Sequence, residues 1–372
     1  MQRLSRFLAG GALFFAVGCS DATSPTGPPT SSPDLSVRGR ANPHLISAMT
    51  RNVYIGFDAD AAIAALATGD PAIFGPVLQD AVATLGNTDF AARAKAFAGE
   101  IALTRPHVVG LQEVYQIHAD LSALGIPAVI DLDYLAILQA ALAARHLPYV
   151  VAAKVIDSDI TPLDGIELVD RDVLLVDASR VQVGPDVIAK TFENNIGVIA
   201  PGVDKKAGFI LAPVTVGGLS VTIVTTHLES DLGPESHPVV SQLRAAQATE
   251  IATALGSTPN VVLMGDLNDT PGALMYQVFT GAGLTDTWLA LRPRDPGFTD
   301  SCFPPDLVAR FADCQKRIDF IFERGLEFRR AGLLGTEIRV GILPFERVRG
   351  PAGLIWPSDH AGLVGDFIVP PA

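Results

Sequence analysis

Five short groups of acidic, amide and histidine residues lie next to apolar runs and are spread in order along the 372-residue sequence. Carboxylate and amide oxygens bind hard divalent cations, and imidazole can accept and donate protons near neutral pH. Together the groups predict a centre that binds a metal ion and activates water against a phosphate ester. The five groups are Leu111-Gln112-Glu113-Val114, Thr226-His227-Leu228, Gly265-Asp266-Leu267-Asn268-Asp269, Arg317-Ile318-Asp319-Phe320 and Ser358-Asp359-His360.

The metal ligands are expected among the oxygen-bearing side chains. Phosphoryl transfer requires attacking and leaving oxygens in line and compensation of charge on the non-bridging oxygens. A cation held by Glu113, with Asn52 and Asp359, would supply that compensation, and Asp266 and Asn268 could bind a second cation. Such ligands favour Mg²⁺, Mn²⁺ or Ca²⁺ over zinc, which takes several histidine or cysteine ligands.

The proton-transfer group is expected at the histidine that closes the series. His360, held in one tautomer by Asp319, could remove a proton from water, which contributes roughly 10²–10⁴-fold in rate. Asp266 and Asn268 could instead position the attacking water. Both His360 and Asp266 therefore stay open as the general base.

Apolar runs of strand length alternate with helical stretches and end at these motifs. Several runs are too uniformly apolar for a sheet with one wet face, which predicts two sheets packed face to face with helices outside. Sites in such folds gather at strand ends. Strands are predicted over residues 45–53, 108–112, 173–176, 209–216, 219–225, 261–264, 318–322 and 363–369, and helices over 90–104, 132–145 and 239–255.

Two further stretches carry specific expectations. In the helix over 239–255, Leu243 and Ile251 are predicted on the buried side, with Arg244 and Gln247 elsewhere. Residues 58–87 look like an insertion to which the sequence pattern assigns no structure.

The first residues predict export. Arg3 and Arg6 precede an apolar segment over residues 7–17, which is shorter than the ~20 residues that cross a bilayer. Residues 1–18 are predicted as a signal peptide, and residues 16–19 resemble a lipoprotein cleavage box in which Cys19 carries lipid. Residues 19–43 are rich in Ser, Thr, Pro and Gly and predict a flexible tether. The protein would face the periplasm or exterior as an anchored lipoprotein, or be secreted.

Residues 44–372 contain no second Pro/Ser-rich gap, so one domain, expected as a monomer, is predicted there. Cys302 and Cys314 are expected to form a disulfide in an oxidising compartment; two free thiols in a reducing one are the alternative. The formal net charge of −13 disfavours long-range attraction to nucleic acid or anionic membrane. A bound cation can reverse the sign of charge inside a site, so a nucleic-acid substrate stays open.

The series of motifs resembles the endonuclease/exonuclease/phosphatase superfamily over nearly the whole domain. That superfamily includes secreted nucleases, abasic-site endonucleases, sphingomyelinases and inositol-phosphate phosphatases. The resemblance implies a DNase I-like α/β fold, a four-layer sandwich of two packed mixed β-sheets flanked by helices. It also implies a metal-dependent phosphoric ester hydrolase with Mg²⁺ as the expected cofactor.

The resemblance also assigns roles residue by residue. Asn52 and Glu113 match the family's metal- and phosphate-positioning residues, and Asp359 belongs to its closing Asp-His pair. The matching catalytic positions are His227, Asp266, Asn268, Asp319 and His360.

Three substrate classes and one non-catalytic function stay open from the sequence. A general phosphodiesterase or phosphomonoesterase, a secreted nuclease and a sphingomyelinase-like phospholipase C share this chemistry. A binding lipoprotein that retained the fold without activity would predict substitutions at the motif positions, and none is seen.

Overall fold

The computed structural model describes residues 44–231, 233, 235–328 and 337–370. The predicted signal peptide (residues 1–18), the tether (residues 19–43) and Cys19 lie outside these residues. Within the described ranges, no helix is both long and apolar enough to cross a membrane.

The described residues form nineteen strands and seven helices. The strands are β1 (Leu45–Asn52), β2 (Val108–Gln112), β3 (Gln116–Asp120), β4 (Val129–Asp133), β5 (Tyr149–Leu163), β6 (Ile166–Asp177), β7 (Val181–Val183), β8 (Ile188–Thr191), β9 (Gly197–Ala200), β10 (Val203–Lys205), β11 (Gly208–Val216), β12 (Leu219–His227), β13 (Val261–Asp266), β14 (Thr285–Asp286), β15 (Asp319–Arg324), β16 (Glu337–Val340), β17 (Val348–Gly350), β18 (Gly353–Ile355) and β19 (Gly362–Ile368). The helices are α1 (Ala59–Ala67), α2 (Pro71–Thr88), α3 (Phe90–Thr104), α4 (Tyr134–Ala144), α5 (His237–Leu255), α6 (Leu274–Gly281) and α7 (Thr287–Leu291).

Two large mixed sheets form the centre of the fold. The first has the order β16-β19-β1-β2-β6-β5-β10-β9, with β3 and β4 continuing from β6. The second has the order β14-β15-β13-β12-β11-β7, with β8 also paired to β11. The pairs β1–β2 and β12–β13 are parallel, and their neighbours are antiparallel.

Alternation along β6 shows how these apolar strands are buried on both faces. Leu174 and Val176 pack between the two sheets, whereas Val173 and Leu175 pack toward α3 and α4. On the second sheet, α5 and α6 cover the outer face. The predicted four-layer α/β sandwich is therefore confirmed.

The structure differs from the sequence-based expectation in α5. Arg244 and Gln247 were predicted away from the buried side, but both are fully buried, whereas Leu243 is only partly buried. The reason is that Arg244 donates hydrogen bonds to the carboxylates of Asp231 and Asp269, so its charge is compensated inside. Residues 58–87, which the sequence pattern left without structure, contain α1 and most of α2.

Register brings the motif-bearing strand ends to one edge of the sandwich. Asn52 pairs with Gln112 across β1 and β2, which places Glu113 beside it. In the second sheet, Asp266 pairs with His227 on one side and with Asp319 on the other. The carboxyl ends of the parallel strand pairs β1–β2 and β12–β13 thus face one another, one pair from each sheet.

Candidate active site

Asn52 and Glu113 form a direct contact at the ends of β1 and β2. The amide nitrogen Nδ2 of Asn52 donates to Glu113 Oε1 at 2.8 Å, and Asn52 Oδ1 accepts from the backbone N–H of Tyr54 at 2.9 Å. Glu113 Oε2 accepts from the backbone N–H of Ile55 at 3.0 Å. Glu113 has φ of +60°, an uncommon conformation for a residue with a side chain. The backbone strain is located where the carboxylate is aimed into the site.

Asp266 is the central carboxylate of the site and is nearly inaccessible to solvent. Its Oδ2 accepts from Asn52 Nδ2 at 3.1 Å and lies 3.7 Å from a ring nitrogen of both His227 and His360. Burial raises the pKa of Asp266, and the nearby Asp319 carboxylate raises it further. One carboxylate therefore contacts or approaches groups from four strands or strand ends.

Asn268 contacts His227 and the backbone just after β12. An extended chain would align the side chains of Asp266 and Asn268, but Asn268 has φ of +53°. Its Nδ2 donates to the backbone oxygen of Leu228 at 2.8 Å and lies 2.9 Å from His227 Nε2. Asn268 therefore fixes the ring orientation of His227.

His360 and Asp319 form a buried hydrogen-bonded pair. His360 Nδ1 lies 2.9 Å from Asp319 Oδ2, so the proton of Nδ1 points at the carboxylate and Nε2 is directed into the pocket. Burial opposes the charged imidazole, but the carboxylates of Asp319 and Asp359 outweigh it and raise the pKa of His360. This is the tautomer-fixing arrangement that the sequence predicted.

Asp300 is a pocket residue that the sequence analysis missed. Its Oδ1 lies 3.6 Å from His360 Nε2, and Asp359 Oδ1 lies 4.0 Å from the same nitrogen. Burial raises the pKa of Asp359 to about 7, and the negative charges of Glu113 and Asp300 add to that rise. Asp300 lies in a loop with no apolar strand before it, so strand-end reasoning could not identify it.

Four more carboxylates lie at the pocket end of the space between the sheets. Asp170 and Asp172 continue the face of β6 that carries Leu174 and Val176, and Asp157 and Glu229 approach from β5 and the segment after β12. Asp157 and Asp172 are both buried, and burial, followed by repulsion from Asp172, raises the pKa of Asp157 well above its ordinary value. The sequence analysis did not identify Asp170 and Asp172; the signal that could have found them is a pair of acidic residues two apart just before an apolar run.

The residues present fit a divalent cation. One cavity of about 440 Å³ is lined by Glu113, Asp266 and Asp359. Asn52 donates hydrogen bonds to Glu113 and to Asp266. Burial, followed by repulsion from Asp170, raises the pKa of Asp172 to about 8, as expected when carboxylates crowd a low-dielectric region. A cation would compensate this excess negative charge.

Charged residues of two motifs stabilise the surroundings of the site. Arg317 donates two hydrogen bonds to Asp286, at 2.9 and 2.6 Å, and both side chains are buried. Arg244 donates to Asp269 Oδ2 at 3.3 Å, which ties α5 to the loop after β13. Both arginines are therefore assigned to supporting contacts outside the pocket.

A disulfide joins Cys302 and Cys314 in the loop before the Arg317 motif. The backbone N–H of Cys302 donates to the backbone oxygen of Asp359 at 3.1 Å. Phe303 of the same loop stacks on Trp356 with ring centroids 4.3 Å apart. The covalently closed loop thus contacts the segment that carries Asp359 and His360.

All predicted metal and catalytic residues come together at this edge of the fold. Asn52, Glu113, Asp266, Asp319 and His360 form one connected set of contacts within 3.7 Å. Three predicted residues flank this set: His227, Asn268 and Asp359.

Comparison with known proteins agrees with the fold. A family model described as "Endonuclease/Exonuclease/phosphatase family" matches residues 84–360. No curated protein sequence matches this chain significantly.

Solved structures with the same fold share little sequence with this chain. D. rerio TDP2 complexed with single-strand DNA product is 20% identical, with 87% of this chain and 98% of that chain covered and a TM-score of 0.50. An endonuclease/exonuclease/phosphatase from Beutenbergia cavernae DSM 12333 is 19% identical, with coverages of 88% and 72% and a TM-score of 0.53. The human Nocturnin catalytic domain with bound sulfate is 16% identical, with coverages of 87% and 93% and a TM-score of 0.52.

Proposed function

Since this chain belongs to the endonuclease/exonuclease/phosphatase family and is a phosphoric ester hydrolase, we propose that it hydrolyses phosphodiester or phosphomonoester bonds by in-line attack of water, with the help of a divalent cation. The observation that carries the proposal is the convergence of Asn52, Glu113, Asp266 and His360 from strand ends more than 300 residues apart. Packing alone does not require three buried ionisable side chains, Asp266, Asp319 and His360, to lie together.

Glu113 and Asp359 are the residues proposed to bind the cation, with Asp266 beside them, and Asn52 holds the Glu113 and Asp266 carboxylates through its amide nitrogen. Mg²⁺ is the proposed ion because the donors are oxygens, and Mn²⁺ or Ca²⁺ would satisfy the same donor set. When bound, the cation neutralises charge on the phosphate oxygens. The carboxylates also restrict the orientation of a substrate, because a phosphate can approach only where that charge is compensated.

The protein side chains are proposed to orient water and transfer its proton. Asp266 lies within 3.7 Å of two imidazoles and is the proposed acceptor of the proton from the attacking water. His360, with Nδ1 fixed on Asp319, directs Nε2 at the reacting phosphate. His227, oriented by Asn268, lies on the opposite side of Asp266 and is proposed to contact a phosphate oxygen.

The test is hydrolysis by the purified protein with Mg²⁺, Mn²⁺, Ca²⁺ or chelator. Bis-p-nitrophenyl phosphate, plasmid DNA, single-stranded DNA and sphingomyelin are supplied in parallel. His360→Ala should abolish metal-dependent turnover, whereas His118→Ala, at an exposed histidine, should leave it unchanged. Equal activity of wild type and His360→Ala on a substrate that the wild type hydrolyses would contradict the proposal.

We also propose that the chain is exported and anchored through Cys19. The support is the order of basic residues, apolar segment and cysteine in residues 1–19. Labelled palmitate should be incorporated into the wild type and not into Cys19→Ser. Unlabelled wild type found in the culture medium would instead indicate secretion without lipid.

A further inference from the structure

A second cavity lies beneath α1 and α2, and its lining is apolar. It has a volume of about 70 Å³ and is bounded by the two helices, by β3, β4 and β6, and by Ile160 of β5. Tyr115 carries the one side-chain hydroxyl among its lining residues. We call this cavity the apolar chamber; Ala62, Leu78, Leu85, Ile117 and Leu168 are among the residues that define it.

The apolar chamber adjoins the catalytic pocket. Six residues line both cavities: Ile55, Phe57, Ala59, Ile63, Tyr115 and Ile160. Two of these are tied to the proposed metal ligand, since the backbone N–H of Ile55 donates to Glu113 Oε2 at 3.0 Å and Tyr115 follows Glu113 by two residues. A group attached to a phosphate at Glu113 would therefore lie next to the residues that the pocket and the chamber share.

The insertion that forms the chamber has well-defined ends over the pocket. Asp58 caps α1 by accepting from the backbone N–H of Ala61, and Asp70 caps α2 by accepting from that of Ala72. Phe74 and Leu78 of α2 pack on Ala119 and Ile166 of the sheet. Protein interiors contain few voids larger than a water molecule, so an apolar void that adjoins a catalytic pocket requires an explanation.

Charge on the remaining pocket walls limits what else the substrate can carry. Asp58, Asp157, Asp170 and Glu229 line the pocket outside the proposed metal ligands, against Lys205 and Lys206. A chain of phosphates would be repelled by these carboxylates, whereas an uncharged apolar group next to the chamber would not be.

We propose that the apolar chamber binds the apolar alcohol group of the substrate, so that the preferred phosphoester is amphipathic, with a single phosphate beside an alkyl or aryl group. This inference rests on the proposed function, because it assigns a substrate class to the same site. Hydrolysis then breaks one phosphorus–oxygen bond, with water supplying the hydroxyl to phosphorus and the proton to the leaving alcohol.

Binding of methyl, butyl and hexyl phosphate, measured by calorimetry with Mg²⁺, tests the chamber without requiring turnover. Each buried methylene should increase affinity roughly fourfold until the chamber is filled. Ala62→Phe, on the buried side of α1, should remove the dependence on chain length and leave methyl phosphate binding unchanged. Ala64→Phe, on the exposed side of the same helix, is the matched control and should behave as the wild type.

Ala81→Leu is a second variant, needed in case Ala62→Phe does not fold. It reduces the volume of the chamber from α2, with a side chain smaller than phenylalanine. Equal affinity for the three phosphates, or a gain with chain length that persists in Ala62→Phe and Ala81→Leu, would overturn the inference. Hydrolysis of p-nitrophenyl phosphate esters that carry the same methyl, butyl and hexyl groups is measured on the same samples. Metal-dependent hydrolysis without chain-length dependence rejects only the chamber, whereas chain-length-dependent binding without hydrolysis of any ester rejects the proposed function.

Discussion

Arg51 and Glu100 form an ion pair that is closed off from solvent, directly behind the site. Arg51 Nε donates to Glu100 Oε2 at 3.1 Å, and Arg51 Nη1 donates to the backbone oxygen of His360 at 2.5 Å. The two side chains are 0% and 3% exposed. The guanidinium of Arg51, the residue before Asn52, thus connects α3 to the backbone of His360.

Arg51→Leu is expected to reduce the free energy of unfolding by about 3–5 kcal/mol. The variant leaves Glu100 buried without its partner, and loss of one member of a buried pair is strongly destabilising. Urea unfolding measures the change. Lys190→Ala, which removes one partner of the exposed Lys190–Glu193 pair, is the control and should cost under about 1 kcal/mol. A similar small effect at Arg51 would contradict the assignment of the pair to stability.

Asp319→Asn is expected to lower kcat by roughly 10²–10⁴-fold with little change in stability. The substitution keeps the shape of the side chain but removes the charge that holds the His360 Nδ1 proton. Steady-state kinetics on bis-p-nitrophenyl phosphate measure the effect. Asp313→Asn makes the same change at an exposed position six residues away and should be silent. A wild-type kcat in Asp319→Asn would show that the pair does not orient the catalytic ring.

Addition of Mg²⁺ is expected to raise the melting temperature of the wild type. A ligand that binds only the folded state stabilises it by about 2.7 kcal/mol at 100 times its Kd. Glu113→Gln should lose most of this shift, because the glutamine removes a charged oxygen donor next to Asn52. Scanning calorimetry with and without chelator measures both proteins. An equal Mg²⁺ shift in wild type and Glu113→Gln would place the cation elsewhere.

The sequence predicted the central strands of the sandwich better than the β5–β6 hairpin and the helices α1 and α2. Long apolar runs such as β2 and β13 are buried on both faces, so pattern alone identified them. The long β5–β6 hairpin was only partly predicted, because much of it alternates between buried and exposed residues and includes bulges. The fold of α1 and α2 depends on a sheet surface that forms far away in sequence.

The site was predicted where chemistry and strand ends coincide, and it was missed where residues reach the pocket from loops. Glu113 and Asp266 directly follow or end strands, so their neighbours in the fold could be inferred. Asp300 reaches His360 from a loop, two residues before the disulfide-bonded Cys302, so its position depends on the conformation of that loop. Arg244 was misplaced because burial of its charge depends on Asp231 and Asp269, which no helical pattern includes.

Glu337 is expected to make stability fall as pH rises. The Thr287 hydroxyl lies within hydrogen-bond distance of a Glu337 carboxyl oxygen and of the backbone oxygen of Ile321, and both side chains are buried. Burial raises the pKa of Glu337 to about 8, from an ordinary value of 4.5.

Between these two values the unfolded chain releases the Glu337 proton and the folded chain retains it, so the free energy of unfolding decreases with pH over that range and levels off above it. Glu337→Gln resembles the neutral acid and should remove this slope, which makes the variant more stable than the wild type at pH 9 and similar to it at pH 4. Urea unfolding at both pH values measures the difference. Equal slopes in the two proteins would show that Glu337 is ionised in the folded state.

The Cys302–Cys314 disulfide is expected to support both stability and activity. It closes a short loop, with a sequence separation of 12, and restricts the unfolded chain accordingly. Replacing both cysteines by serine should therefore cost about 2–4 kcal/mol.

Activity should fall further than stability accounts for, because the loop contacts two parts of the site. The Cys302 backbone N–H donates to the backbone oxygen of Asp359, and Tyr54 donates from its hydroxyl to the backbone oxygen of Pro305 at 3.1 Å. Kinetics at a temperature where both proteins are folded, in a Cys19→Ser background, measure the effect. Reductant should lower the activity of the disulfide-bonded protein to that of the double variant and leave the variant unchanged. If the reduced protein keeps full kcat/KM, the loop positions neither Asp359 nor the pocket wall.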